Sequence, residues 1–251
     1  MALSSRFETF IGALRFFTRL PIPGQLGYSS VALEKAIVYF PLAGVLLGAI
    51  CAALFMVCAL FWPKSLAVLV AMAATIRLTG ALHEDGWSDV ADGFGGGWDK
   101  QRILDIMRDS RLGSFGAVAL TMLLLARYVT LVEIETAWLP FALIAGHAFS
   151  RLCATGIMVS MEYARTDGKG KPFSNHLSIG ELAFVVLTGV APLFCLPWRQ
   201  AASAAVLALL ATLWLARLFK RNIGGYTGDC LGATQQFAEV AFYAGLLCRF
   251  S

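Results

Sequence analysis

The chain has 251 residues, of which 58% are apolar and only 14% charged, with a mean hydropathy of +0.71. This balance excludes an ordinary soluble domain, and a net charge of +4 without a basic tail excludes nucleic acid as a partner. Apolar runs recur along the whole length, so the predicted fold is an all-α, polytopic integral membrane bundle, with residues 1–251 as a single membrane domain.

Residues 5–20 place Phe7, Phe10, Ile11, Leu14 and Phe17 at helical spacing before Pro21 and Pro23. That pattern suits an amphipathic helix, either in the bilayer interface or packed on the bundle. A loop over 24–30 follows. A hydrocarbon core about 30 Å thick needs roughly 20 apolar helical residues. Six segments qualify, at approximately 37–62, 65–82, 115–134, 138–160, 179–198 and 201–219. A seventh, 232–249, is weaker because it carries Gln235, Gln236 and Glu239, so it either spans or packs as a shorter helix inside the bundle. The expectation is about six or seven transmembrane helices plus interfacial amphipathic helices.

The six cysteines show no CxxC spacing and five lie in apolar runs, where a thiol acts as a small hydrophobe. Arg6, Glu8, Arg15 and Arg19 interrupt the first twenty residues, so no cleaved signal is expected. With a cytoplasmic N-terminus, fourteen basic residues fall on the side of loops 83–113, 161–178 and 220–231, against Lys64, Arg199 and Arg249 on the other. That asymmetry predicts that these three loops share the cytoplasmic face. Arg77, Arg127 and Arg151 fall inside predicted spans. Arg127 sits deep enough to require a partner, and Arg77 and Arg151 either snorkel or line a site's floor. His147 is expected to be a satisfied core histidine.

Seven of the sixteen acidic residues, Glu84, Asp85, Asp89, Asp92, Asp99, Asp105 and Asp109, crowd into residues 79–116 among Lys100, Arg102, Arg108 and Arg111. Asp85, Asp89 and Asp92 are spaced i, i+4, i+7, which stacks three like charges on one helical face. Something must offset that repulsion, and a hard divalent cation shared with substrate phosphates would do so. His83 and Glu84 point elsewhere on the same helix and are weaker candidates. The run Gly93–Gly97, costly in a helix, is expected to open backbone N–H groups to a ligand. Asp99 has the character of an N-cap for an amphipathic helix over 100–109 whose Ile103, Leu104, Ile106 and Met107 face the membrane. Arg108 and Arg111 bracket Asp109, as a phosphate clamp with a proton acceptor or metal ligand, or as an ordinary ion-pair network. Loop 220–232 adds Asp229 in a Thr-Gly-Asp turn beside Lys220 and Arg221. Loop 161–178 adds Tyr163, Arg165, Asp167, Lys169, Lys171, Asn175 and His176, a ligand-facing or merely solvated segment.

Taken jointly, several stretches resemble the adenosylcobinamide-GDP ribazoletransferase family, also called cobalamin (cobalamin 5′-phosphate) synthase. They are Thr18 to Pro23, Phe40 to Gly44, Gly80 to Gly93 with His83-Glu84-Asp85-Gly86, Ile106 to Gly113, and Gly224 to Ala233 with Glu239. The resemblance runs nearly end to end and implies an enzyme joining α-ribazole, or its 5′-phosphate, to adenosylcobinamide-GDP with release of GMP. Mg²⁺ is the implied cofactor and the bacterial inner membrane the implied location, with the lipid bilayer, other cobamide-assembly enzymes and a second copy of the chain as further expected contacts. On that resemblance Asp85, Asp89, Asp92 and, least strongly, Glu84 are metal ligands, and Arg108 and Arg111 stabilise phosphoryl charge. Asp109 or Asp229 is the base or a further ligand. Arg19, His83, Arg102, Gly225 and Thr227 fall to substrate binding. His83 is an alternative base, a poorer one because adjacent carboxylates would raise its pKa.

Two related chemistries fit less well. A CDP-alcohol phosphotransferase needs an Ala-Arg element that Trp87-Ser88-Asp89 does not supply, and an aromatic-type membrane prenyltransferase needs an Asn-Asp start that is absent here. The rival from another class is a divalent-cation transporter, which would hold its acids near mid-bilayer, where only Glu239 is placed.

Overall fold

The structure is a computed structural model that describes residues 3–22, 35–165 and 177–249, with side chains from residue 6 onward. Among these residues ten α-helices follow in order: α1 Leu3–Phe17, α2 Phe40–Cys58, α3 Lys64–Thr79, α4 Leu82–Gly96, α5 Lys100–Ile106, α6 Ser114–Glu133, α7 Leu139–Ser160, α8 Ile179–Val190, α9 Trp198–Ile223 and α10 Gly228–Leu246. No strand occurs among them, in keeping with the all-α membrane architecture expected.

Four helices are long and apolar enough to cross a membrane: α2 with its preceding 3-10 turn from Ala36, α6, α7 and α9. A fifth span exists if α3 and α4 count as one element bent by 85°. This is fewer than the six or seven expected. The segment at 65–82 ends in that bend, and 179–198 folds as a short helix continued by a 3-10 turn to Cys195. The bend has a local cause. Gly80 and Ala81 both adopt left-handed backbone, with φ of 66° and 59°, which stops α3 and redirects the chain. Only glycine takes that conformation without cost, so Ala81 is strained. The apolar arm of the pair is α3. With Glu84, Asp85, Asp89 and Asp92 along it, α4 is no hydrocarbon-crossing helix and lies outside the spanning segments.

Tight crossings assemble the bundle. In α2, Gly44 and Gly48 stand four apart on the face toward α7, and a β-carbon at Gly48 would come within 2.6–2.7 Å of the Ile144 and Leu143 backbone. This small-residue spacing lets two membrane helices approach backbone to backbone. On α6, Val118, Met122, Leu125 and Val129 form an exposed stripe, as do Val206, Leu209, Leu213 and Trp214 on α9, where lipid would replace the missing protein neighbours.

The 232–249 segment packs inside the bundle as the central helix α10, largely buried among α4, α6, α7 and α9. Its polar residues face inward. Glu239 Oε1 accepts from Arg127 Nη2 at 2.7 Å and from the Tyr243 hydroxyl at 3.2 Å, and Oε2 lies 3.0 Å from His147 Nδ1 and 2.5 Å from Gln235 Nε2. The deep Arg127 thus has its partner, and three helices are tied together at one carboxylate. Helix α1 packs Ile11, Leu14 and Phe17 on the bundle, with Phe17 edge-on to Phe40 at 4.0 Å, which settles it as a bundle helix along that face.

Candidate active site

Two segments far apart in sequence meet where α4 crosses the start of α10. Gly86 is the point of closest approach: a β-carbon there would come within 2.7 Å of the Asp229 carbonyl oxygen. Thr227 caps α10, its hydroxyl accepting from the Cys230 amide at 3.3 Å and lying 3.4 Å from Asp229 Oδ2. Gly225 packs on the Glu162 backbone, where Tyr226 N donates to Glu162 O and Ala164 N to Tyr226 O, at 3.0 and 2.8 Å. These bonds join the 161–165 and 224–229 segments and bring Arg165 to within 3.1 Å of Asp229. Thr227 and Gly225, expected at substrate, here shape the loop that aims Asp229.

Asp85, Asp89 and Asp229 are brought together at this crossing. Burial first, then Asp85, Asp229 and Asp92, push the Asp89 carboxyl up to about 7 against a weaker pull from Arg165. Burial also raises Asp229, with Arg165 holding it back. A carboxylate raised by its own neighbours marks a place where negative charge is concentrated without enough cation to neutralise it.

The other expected ligands take different positions. Both oxygens of Asp92 are committed to backbone, accepting from Gly113 N and Gly116 N at 2.8 Å each. Asp92 therefore fastens the start of α6 to α4. Glu84 is turned into the core, 4% exposed, with Oε1 accepting from Gln236 Nε2 at 2.9 Å and lying 3.7 Å from Arg127 Nη1. Its position at i−1 to Asp85 puts it about 100° round the helix from the cluster. The glycine run forms no phosphate cradle: α4 continues to Gly96, and Gly97 N donates to Gly93 O at 2.9 Å. Those glycines make room instead for Met107 and Ile103 at Gly93 and for Phe115 at Gly95. Ile103, Leu104 and Met107 are correspondingly buried in protein, not turned to the membrane as expected.

Asp99 is an N-cap as predicted, accepting from Arg102 N at 3.0 Å. Asp109 and Arg111 are paired to each other at the surface, with three guanidinium contacts of 2.6 to 3.1 Å. Hydrogen bonds from Arg111 hold Asp109 below the usual carboxylate range. They line, with Asp92, Arg102 and Asp105, an open groove of about 570 Å³ beside the cluster. Arg108 is exposed on the same segment. Asp109 is thus a neighbour of the cluster, not a member. Arg19 lies over Gly80 at the α3–α4 bend, where its amide donates to Leu78 O at 2.7 Å.

His83 corrects another expectation. It is 4% exposed and its ring lies parallel to Phe17 at 5.8 Å. Burial, helped by the Arg151 cation, pushes its pKa well down, against an opposing pull from the buried Glu239. Residues that the sequence reading did not assign to the site include Gln235 and the aromatic group Phe16, Phe17 and Phe40, which share a cavity lining with Asp85 and Asp229. Their apolar neighbours made them indistinguishable from core. Asp167, Lys169, Lys171, Asn175, His176 and the 24–30 loop lie outside the described residues.

No three His, Cys, Asp or Glu side chains among the described residues form a ready cage for a metal. Asp85 and Asp229 lie near enough to Asp89 for their charges to raise it.

The fold is that of an α-helical polytopic membrane protein, with clustered carboxylates at a helix crossing and an arginine-lined groove on α5 and the segment after it. Comparison with known proteins narrows this. The model of the Cobalamin-5-phosphate synthase family matches residues 9–247. The chain is 44% identical to the adenosylcobinamide-GDP ribazoletransferase of Shewanella frigidimarina (strain NCIMB 400), over 96% of this chain and 95% of that protein. It is 40% identical to the enzyme of the same name from Ralstonia pickettii (strain 12J), over 100% and 99%. No solved structure matches. The chain belongs to the cobalamin-5-phosphate synthase family and is a membrane transferase of cobalamin biosynthesis.

Proposed function

We propose that the chain joins α-ribazole, or α-ribazole 5′-phosphate, to adenosylcobinamide-GDP, releasing GMP and forming adenosylcobalamin or its 5′-phosphate. The observation that carries this reading is the convergence of Asp85, Asp89 and Asp229 beside the Arg102–Arg111 groove. A pyrophosphate diester needs its charge neutralised and its leaving phosphate stabilised, and these two features offer a metal-binding edge and a guanidinium edge side by side.

A ribazole hydroxyl attacks the phosphorus attached to the cobinamide aminopropanol. A new P–O bond forms, the bond to the bridging oxygen breaks, and that oxygen departs with GMP. Asp229 takes the hydroxyl proton, since its raised carboxyl is a stronger base than an ordinary aspartate. Arg165, 3.1 Å away, orients it. Asp85 and Asp89 would hold Mg²⁺, which when bound neutralises the phosphate oxygens. Arg102 and Arg111 receive the departing nucleotide's phosphate, Arg111 by exchanging Asp109 for a phosphate oxygen. We place this face in the cytoplasm, on the side favoured by the basic loops.

The test is GMP release by the purified full-length chain in detergent with both substrates and Mg²⁺. Release that needs both substrates and stops with chelator supports the reading. No release, with ion flux in nucleotide-free liposomes, would replace it with the transporter.

A further inference from the structure

A cavity of about 430 Å³ lies between α1, the 3-10 turn before α2 and the start of α8. Among the described residues its lining includes Arg6 of α1, Lys35 and Tyr39 at the turn, and Glu181 and Phe184 of α8. None of these belongs to the carboxylate cluster or to the arginine groove.

Its lining is cationic on one side and aromatic on the other. Arg6 and Lys35 stand against one acid, Glu181, whose Oε2 already accepts from Ser178 N and Oγ at 2.8 Å each. Lys35 acts on the charge of Glu181, so these two offset each other in part and Arg6 supplies the excess. The Tyr39 ring packs edge-on against Phe10 and Phe184, at 5.7 and 5.6 Å, which fixes the aromatic wall. Excess positive charge beside such a wall suits an anion that carries an apolar body.

The place of the cavity in the fold narrows the ligand further. The spanning segment that contains α2 begins at Ala36, and the short apolar helix running to Cys195 begins at Ile179. Two apolar helices thus start at the cavity, which puts it at the boundary between hydrocarbon and water. Tyr39 lines it, and the next residue, Phe40, lines the cavity shared by Asp85 and Asp229, so both lie on one side of the bilayer. Phe7, Ile179 and Leu182, each next in sequence to a lining residue, are 57%, 90% and 46% exposed. A water-soluble phosphate ester would leave these three side chains facing water, whereas the acyl chains of a lipid cover them.

We propose that this cavity binds the headgroup of an anionic phospholipid, with its phosphate at Arg6 and Lys35 and its acyl chains along Phe7, Ile179 and Leu182. Basic pockets between membrane helices are suited to such headgroups. The bound lipid ties α1, whose last residue Phe17 stacks on the His83 ring, to the starts of α2 and α8.

The test is native mass spectrometry of the full-length protein released from micelles that contain phosphatidylglycerol and phosphatidylethanolamine in equal amounts. The wild type should retain phosphatidylglycerol at least about fivefold over phosphatidylethanolamine, and Arg6→Gln combined with Lys35→Gln should abolish the preference. Equal retention of the two lipids by the wild type, or an unchanged preference in the double variant, overturns the proposal. If the double variant does not fold, Arg6→Gln alone, at an exposed position, carries the comparison. Phosphatidylglycerol should also raise the thermal unfolding midpoint of the wild type in detergent and raise that of Arg6→Gln less, and an equal rise in both overturns the assignment. Inorganic phosphate and glycerol 3-phosphate separate a lipid from a soluble ligand. Neither should displace the retained lipid, and displacement by either would make the ligand a soluble phosphate compound and overturn the lipid assignment.

Discussion

Two groups of carboxylates lie on α4 and α10, and they are treated in opposite ways. Around Glu239, deep in the bundle, every acid has a cation or donor: Arg127 at 2.7 Å, His147 at 3.0 Å, and the Gln235 amide and Tyr243 hydroxyl besides. Around Asp89 the charges of Asp85, Asp229 and Asp92 add to burial, and Arg165 offsets them only in part. Charge buried in the bundle must be paired internally, because neither water nor lipid can do it. Charge left in surplus beside a groove is free to be paired by something that arrives. The first arrangement holds α6, α7 and α10 in register, and the second is where chemistry can happen.

Substitutions that exchange these characters should have very different effects. The largest is expected at Glu239→Leu, which leaves Arg127 buried without its carboxylate and should cost about 3–5 kcal/mol. Thermal unfolding in detergent, or loss of the protein from the membrane fraction, reads it. Asp89→Asn should do the reverse, lowering GMP release at least about a hundredfold while the protein stays folded. Its stability should even improve in one pH window. Asp89 titrates near 3.8 in an unfolded chain and at about 7 here, so its ionisation opposes folding as pH rises between those values. Without divalent ion, Asp89→Asn should therefore unfold at a higher temperature than wild type at pH 8, and the advantage should disappear toward pH 4. An unchanged difference across that range would mean that neither burial nor the neighbouring acids raise Asp89.

Gly86→Ala tests how the cluster is assembled. Its new methyl would strike the Asp229 carbonyl, and the resulting displacement should lower turnover about tenfold without an equal loss of stability. Ala81→Gly should have the smallest effect, a gain of up to about 1 kcal/mol in unfolding free energy, because glycine relieves the left-handed strain at the bend.

Much of this was legible in the chain. Hydropathy found the membrane bundle, the i, i+4, i+7 spacing found the acidic face of α4, and Asp99 was recognisable as a cap. Three features were not. The 85° bend at Gly80–Ala81 depends on a positive φ at an alanine, which no propensity announces. The glycines after Asp92 have the composition of a ligand loop but serve helix packing, a distinction set by Met107, Ile103 and Phe115 arriving from later in the sequence. Asp92 and Glu84 lie within one or three residues of cluster members yet bind Gly113, Gly116 and Gln236, since helical rotation and tertiary neighbours, not sequence proximity, decide what a carboxylate faces.

The central claim, that Asp89 holds a metal against the pyrophosphate, is tested most directly by a change of ligand chemistry. Asp89→Cys replaces a hard oxygen donor with a soft sulfur, which binds Mg²⁺ poorly and Cd²⁺ well. GMP release by this variant should fall to the level of Asp89→Asn with Mg²⁺ and recover in part when Cd²⁺ is added, with no such recovery in Asp89→Asn. Wild-type turnover by Asp89→Cys with Mg²⁺ alone would contradict the claim.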